Sequence, residues 1–382
     1  MKTNPSFTII GGGIAGLTTA IALSRLGLNA TVFEAAPNVR PLGAGLALAA
    51  NAIQAFERLG VAEAVIQRGR QLHALSIYDE SGRVVTRTDS LAISKRYGID
   101  NFAIHRAELH QVLLDHLPSS IVFTSKKAIR MEQQLDGVTV FFEDGSSRQT
   151  DYLLVADGIH SPIRRQLLPE SAPRYAGYTC WRGVVHRPDL PMTEASETWG
   201  RRGRVGIVPL TDERVYWFAC INASPQNQQM GLLTSRNLAD HFRHYHAPIS
   251  DLLAGTPDEN LLWNDIIDLK PLKRFAFGRT LLLGDAAHAT TPNLGQGACQ
   301  AIEDAAVLAD TMGKNVSVET AFRDFEQRRL SRTRTITNTS WRIGQVAQWS
   351  NPLLTRTRNY LFRLVPSSLS ERQLEMLYTV DF

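Results

Sequence analysis

Short apolar runs broken by glycine-rich or polar turns fill most of the chain, and helical periodicity takes over toward its end. Residues 7–10 form a run fit for a buried strand; Gly11, Gly13 and Gly16 follow, and residues 17–26, rich in Ala, Leu and Ile, predict a helix. A second strand is predicted at 30–33. Residues 74–79 and 84–88, joined by Glu80-Ser81-Gly82, read as a hairpin, as does the alternating stretch 138–142 ahead of Asp144-Gly145. Residues 152–156 read as a buried strand. From 175 to 267 the pattern is mostly strands, at 178–185, 204–208 and 215–221, with a helix at 235–245. Residues 280–283 predict one more buried strand, after which Ala301, Ile302, Ala305, Ala306 and Leu308 recur at helical spacing. Beyond about residue 321 the chain is helical and basic, with ten Arg against five acidic residues. This order predicts an α/β fold with a mainly antiparallel sheet inserted between segments of a parallel one.

The first block is a strand–glycine turn–helix. In G-x-G-x-x-G, Gly11 permits the tight bend, Gly13 lets a pyrophosphate approach the backbone, and Gly16 lets helix and strand pack closely. Unpaired N–H groups at the helix start, from Gly13 through Ile14 and Ala15, favour an anion. The strand at 30–33 ends in Glu34, eighteen residues past Gly16, followed by Ala35. A carboxylate there accepts hydrogen bonds from ribose hydroxyls and repels a 2′-phosphate. These features predict a Rossmann-like dinucleotide-binding unit.

A distant block distinguishes the dinucleotide. Asp285, at the end of the strand at 280–283, is placed to bond the ribityl or ribose part of an extended cofactor. Gly295-Gln296-Gly297-Ala298 opens a helix whose N-terminus stabilises negative charge on a reduced flavin ring, and its glycines allow close backbone approach. The two blocks together describe the two ends of one FAD.

At these residues the chain resembles the single-component FAD-dependent aromatic monooxygenases with a para-hydroxybenzoate-hydroxylase-like fold, among them salicylate hydroxylases, FAD-dependent urate hydroxylases and zeaxanthin epoxidases. The central motif is matched at Asp157-Gly158-Ile159-His160-Ser161-Pro162-Ile163-Arg164, and the third from Gly284 to Asp304, with Cys299 where many relatives carry Asn. The resemblance covers nearly the whole chain. It implies that Asp157 and Arg164 serve flavin and nicotinamide binding, that Arg106 contacts the flavin's sugar chain, and that Pro292 lines the flavin's reactive face. It also implies an activity: NAD(P)H reduces FAD, O2 forms a flavin C4a-hydroperoxide, and one oxygen atom passes to an electron-rich ring or double bond. No second dinucleotide fingerprint is present, so NAD(P)H is expected to be a transient co-substrate.

Strand alternation puts Arg204 with Gly206, and Tyr216 with Phe218, on single faces. These segments resemble the urate hydroxylase branch, where the matching arginine and tyrosine face the substrate. Arg204 is then a candidate to hold an anionic ring and Tyr216 to orient a ring hydroxyl; the plainer readings are a surface arginine and a core tyrosine. Trp181-Arg182 is a further pocket candidate. His288 beside Asp285 reads as a structural member of its loop, and no second histidine at ligand spacing supports a metal.

The expected division is a discontinuous FAD-binding domain (1–72, 101–172, 271–335), a substrate-binding sheet domain (73–100, 173–270) and C-terminal helices (336–382). In 382 residues, 43% hydrophobic, there is room for sizeable cores, and a net charge of +4 with dispersed basic residues argues against nucleic acid. Cys180, Cys220 and Cys299 are widely spaced, which argues against a disulfide framework. No apolar stretch reaches the roughly 20 residues of a membrane span, and a cytoplasmic monomer or homodimer is expected. The basic tail, with Trp341, Trp349, Tyr360, Phe362 and Leu364, reads as a helical layer across the flavin domain or, alternatively, as a membrane-surface helix. Two other functions fit the same residues: a flavin-dependent reductase or dehydrogenase, and a flavin-binding regulatory protein without turnover.

Overall fold

The computed structural model describes residues 5–38, 44–314, 316–365, 374–380 and 382. Strand Ser6–Ile10 lies inside a six-stranded sheet, between Asn29–Phe33 and Tyr152–Val155, with Thr280–Leu282 beyond the latter and Ala276–Phe277 and Val122–Phe123 at the edges. All pairs are parallel except the last two strands toward Ala276. Phe7, Ile9, Leu153, Leu154, Leu281 and Leu282 are buried, as the unbroken apolar runs require, in one core with residues of helix Ile14–Arg25 and with Met131, Val140 and Phe142 of a small three-stranded sheet. Helix Ile14–Arg25 packs on helix Gly297–Met312, which in turn packs on Ala50–Leu59 and on the 30-residue helix Val318–Ala347.

The order of the central strands positions the site. Three parallel neighbours, Thr280–Leu282, Tyr152–Val155 and Ser6–Ile10, end side by side, so the glycine turn at 11–16, Asp157-Gly158 and Gly284-Asp285 emerge together at their carboxyl ends. That is where ligands bind in such sheets.

A seven-stranded sheet stands apart from the first, in the order Leu262–Leu269, Pro173–His186, Arg214–Asn222, Gly203–Pro209, Ala195–Gly200, Ala74–Asp79, Val84–Asp89. The expected early hairpin is present, and it joins this sheet through a parallel pairing of Ala74–Asp79 with Ala195–Gly200. On the outer face Trp181, Val205, Ile207, Val215 and Trp217 pack under helices Ser235–His241 and Ile249–Ala254. The expected helix at 235–245 ends at His241, and a second, unexpected helix, Ile249–Ala254, follows the turn to Pro248. Two further strands, Ala195–Gly200 and Leu262–Leu269, carry too many polar residues to read as strands by pattern. The expected hairpin at 138–142 pairs with Ser147–Thr150 in a small sheet of its own.

The tail forms helices Val318–Ala347 and Pro352–Arg363, and part of the expected C-terminal segment, 366–373, lies outside the described residues. Val318–Ala347 is a packed layer: Arg329, 1% exposed, binds Asp304 Oδ1 at 2.7 Å and also meets Glu303. Arg174 stacks over Trp341 at 3.6 Å.

Candidate active site

Each glycine of the first turn has a separate steric duty. Gly11 adopts φ +105°, and a Cβ there would lie 2.2 Å from the Ala156 carbonyl oxygen; at Gly16 it would lie 1.9 Å from the Gly11 oxygen. At Gly13 no described atom lies within 4 Å, so this glycine faces open space at the helix start, which has no side-chain cap. Ile14 and Ala15 open the helix and are buried. Glu34 accepts from Gly12 N–H at 2.6 Å and from Ala36 N–H at 2.8 Å, which holds its carboxylate at the rim of the turn beside exposed Ala35.

The distant motif meets the first directly. Gly284 adopts φ +54°, and a Cβ on it would stand 2.7 Å from the Ala15 Cβ. Asp285 follows with its side chain reaching the surface; desolvation by the surrounding chain still raises its pKa above the ordinary value, and the nearby Arg106 guanidinium only partly opposes that rise. Asp157 has both carboxylate oxygens buried without a hydrogen-bond partner among the described residues, and burial raises its pKa to about 6. A buried carboxylate in that state needs a polar partner. Arg164 is fully buried and spends its donors on Ile159 O at 2.7 Å, Ser171 Oγ at 3.1 Å and Ala286 O at 3.5 Å, so it ties the central motif to the Asp285 segment.

In the second glycine loop, Pro292 is exposed in a tight turn and Gly295 adopts φ +63°. Gly297 and Ala298 begin a helix whose N-terminus has no side-chain cap. Gln296 turns inward to Asn51 Nδ2 (3.1 Å) and Gln300 Nε2 (2.9 Å). Cys299 also turns inward: its thiol contacts Ala49 N and Gly295 O at 3.4 Å each, and burial pushes its pKa up to about 12, so it is an inert packing group. His288 bonds Asp304 Oδ2 at 2.7 Å, as does Gly284 N at 2.8 Å; this histidine is structural, as its loop position suggested.

The inner face of the large sheet looks toward these loops. Strand register places Cys180, Cys220 and Arg204 side by side on three adjacent strands, with Arg182, Phe218 and Gly206 in the next row and Val184, Tyr216 and Val208 in the third. Arg204–Gly206 and Tyr216–Phe218 thus share one face, as the alternation predicts. A Cβ on Gly206 would sit 2.0 Å from the Phe218 ring and one on Gly45 2.5 Å from the Tyr216 ring, so both aromatics lie flat against backbone. The Tyr216 hydroxyl pairs with Arg182, and burial raises its pKa well above the usual value, leaving a neutral phenol. Trp181 is not a pocket residue: it points the other way, into the outer core.

Arg204 is 2% exposed and each of its three nitrogens has a hydrogen-bond partner. Nη1 meets Glu197 Oε1 at 2.9 Å, Nη2 meets Asn293 Oδ1 at 2.8 Å, and Nε meets Gln348 Oε1 at 3.2 Å. Tyr178 OH also donates to Asn293 Oδ1, at 3.1 Å, and Asn293 Nδ2 donates to Thr291 Oγ1 and Ser340 O, each at 2.9 Å. Glu197, Asn293 and Tyr178 escaped the sequence reading. Glu197 sits diagonal to Arg204 across a strand pair, but its polar neighbours Ser196 and Thr198 hide the strand from pattern.

Glycine turns, an orphaned carboxylate and a second helix start around the ends of three parallel strands define a flavin-dependent oxidoreductase. A family model for an FAD binding domain matches residues 6–340. The chain belongs to the FAD-dependent aromatic monooxygenase family. It is 37% identical over 368 residues to an aurachin C monooxygenase/isomerase of Stigmatella aurantiaca, covering 96% of each chain. With a 2-heptyl-3-hydroxy-4(1H)-quinolone synthase of Pseudomonas aeruginosa it shares 34% identity over 376 residues, 97% of each. The crystal structure of Klebsiella pneumoniae HpxO complexed with FAD and uric acid superposes with a TM-score of 0.90 at 29% identity, covering 99% of this chain and 97% of that one.

Proposed function

We propose that this monooxygenase uses NAD(P)H and O2 to oxygenate an uncharged, electron-rich heteroaromatic ring of the quinolone type, held between the inner face of the large sheet and the flavin. The observation that carries the substrate class is the Glu197–Arg204 pair. An arginine already neutralised by a carboxylate at 2.9 Å offers no net positive charge to a bound anion, and an anionic ring beside Glu197 would meet repulsion in a low-dielectric site. The other donors on this face, the Tyr216 phenol and the Arg182 guanidinium paired with it, suit a ring carbonyl or hydroxyl oxygen. The aurachin and heptylquinolone enzymes among the relatives support the same class.

Gly11, Gly13, Ile14, Ala15 and Gly16 would cradle the FAD pyrophosphate, and Glu34 and Ala35 would hold the ribose. Arg106, Asp157 and Asp285 would bond the polar chain toward the ring, and Pro292 with Gly295, Gln296, Gly297 and Ala298 would border the ring through backbone atoms. Bound FAD supplies hydride acceptance from NAD(P)H, oxygen activation and transfer of one oxygen atom. The chain's own tasks are orientation, exclusion of water and stabilisation of negative charge at the second glycine helix. Arg204 acts here as a positioning residue, holding the Pro292 turn through Asn293. Residues 1–72, 101–172 and 271–335 would fold as the FAD-binding unit.

Titration of the FAD-loaded protein with a 2-alkyl-4-quinolone, urate and salicylate tests this reading. The quinolone should perturb the flavin spectrum and stimulate NAD(P)H-dependent oxygen uptake. Stimulation by the two anions alone would refute it.

A further inference from the structure

Helix Pro352–Arg363 is turned inside out relative to an ordinary surface helix. Its buried side is polar: Thr355 and Arg358 are buried, with Arg358 Nη1 on Ala347 O at 2.7 Å, Nη2 on Trp199 O at 3.3 Å, and the guanidinium over the Trp199 ring at 5.1 Å. Phe362 adds an apolar contact inward, edge-on to Trp199 at 5.3 Å. The outward side is apolar. Leu353 is 72% exposed, Tyr360 61%, Leu364 59%, Leu361 55%, Leu354 45% and Val365 43%. At 3.6 residues per turn the four within the helix fall in an arc of about 120°, shared with exposed Thr357, and Leu364 and Val365 follow directly at the helix end. Soluble proteins rarely leave such a stripe uncovered without a partner.

The geometry points to this helix as a docking element for an anionic membrane surface. Charge selects the occupant: residues 352–365 hold no acid, and apart from the buried Arg358 they carry Arg356, which flanks the apolar arc, and Arg363. Arg363 shares Asp79 with Arg83, whose side chain is 76% exposed, which extends the basic rim onto the neighbouring hairpin. Apolar side chains bordered by arginines match a lipid headgroup boundary. A second copy fits poorly, because one helix about 18 Å long presents far less than the roughly 800 Å² per partner of a stable dimer, and a two-fold contact would set like charges together. Residues 366–373, Pro-Ser-Ser-Leu-Ser-Glu-Arg-Gln, carry a single large apolar side chain with which to cover it. Trp199, the anchor of the helix, lies opposite Arg204 in the sheet, so the membrane-facing element adjoins the proposed substrate face. This inference rests on the helix alone and stands whether or not the substrate is a quinolone.

Cosedimentation of the full-length, FAD-loaded protein with phosphatidylcholine vesicles, with and without phosphatidylglycerol, tests it. The protein should bind the phosphatidylglycerol vesicles selectively. A Leu353→Ser/Leu361→Ser/Leu364→Ser variant should lose at least about tenfold in partitioning, and Arg356→Glu about fivefold or more, with flavin content and melting temperature unchanged. Failure of the native protein to bind at low salt, equal binding to both vesicle types, or undiminished binding by the triple variant would overturn it. So would light scattering that shows the leucine substitutions converting a dimer to a monomer, since that assigns the face to a second copy.

Discussion

Asn293 Oδ1 accepts from Arg204 Nη2 at 2.8 Å and from the Tyr178 hydroxyl at 3.1 Å, so one amide fastens the loop after Pro292 to the large sheet. The same amide reaches Ser340 on the long helix, and Gly344 leaves it room, because a Cβ there would stand 2.3 Å from Asn293 Nδ2. Asn293→Ala should therefore keep FAD but loosen the loop. Small misplacements of reacting groups cost up to roughly a hundredfold in rate. We expect kcat to fall roughly ten- to a hundredfold, with a larger share of NAD(P)H ending as H2O2. Stopped-flow kinetics with peroxide detection checks this; unchanged coupling would contradict it.

Removal of the charge on Glu197 leaves Arg204 buried and uncompensated, a loss that costs several kcal/mol when a buried pair is broken. Glu197→Gln retains a hydrogen-bond acceptor, so we expect a milder loss of about 2 kcal/mol in denaturant unfolding. The released positive charge should also draw in anions. Salicylate or urate binding, read from flavin difference spectra, should tighten roughly tenfold in this variant. No gain in anion affinity would show that Arg204 does not face the ligand.

The Asp157 carboxyl titrates at about 6 in the folded chain because it is buried, against 3.8 for the ordinary group. The folded state therefore holds the proton more tightly, and between those values native protein carries more protons than unfolded. Stability contributed by the protonated form is present below 3.8, falls as pH rises, and is gone above about 6. Asp157→Asn removes this penalty. The cofactor-free variant should be more stable than the native protein at pH 7 by about 2–3 kcal/mol and nearly equal to it at pH 4. Melting curves at both pH values test the sign, and flavin titration should show weaker FAD binding by the variant.

The glycines separate cofactor from fold. Gly13 has a backbone that alanine tolerates and no described atom within 4 Å, so Gly13→Ala should leave the apoprotein's melting temperature nearly unchanged while weakening FAD binding. Gly16→Ala drives a methyl to 1.9 Å from a carbonyl oxygen, and Gly284→Ala adds a methyl to a left-handed residue against Ala15. Both should lose stability, by at least roughly 1–3 kcal/mol, as well as flavin. Equal behaviour of Gly13→Ala and Gly16→Ala would contradict the assignment of separate roles.

The central strands were legible because burial on both faces leaves an unbroken apolar run ending in glycine, at residues 7–11 and 280–284 alike. The pairing of Arg204 with Gly206 and of Tyr216 with Phe218 was legible from alternation. The partners of Arg204 were not, since Glu197 lies in a strand whose polar residues mask it and Asn293 in a loop whose course depends on distant packing. Cys180 and Cys220 stand directly opposite each other across two strands, a contact their separation along the chain conceals. The arginines and aromatics of the tail already suggested a membrane-surface helix as an alternative, but which side of Pro352–Arg363 the protein covers was not legible, because composition does not show it.

The central claim is that FAD at these strand ends inserts oxygen into a neutral heteroaromatic ring. Incubation of the native, FAD-loaded protein with NAD(P)H, a 2-alkyl-4-quinolone and 18O2, followed by mass spectrometry, tests it most directly. The account predicts one labelled oxygen atom per product molecule, with product formed in near-equal amount to NAD(P)H consumed. NAD(P)H oxidation that leaves the quinolone unlabelled, while an anionic ring such as urate takes up the label, would contradict it.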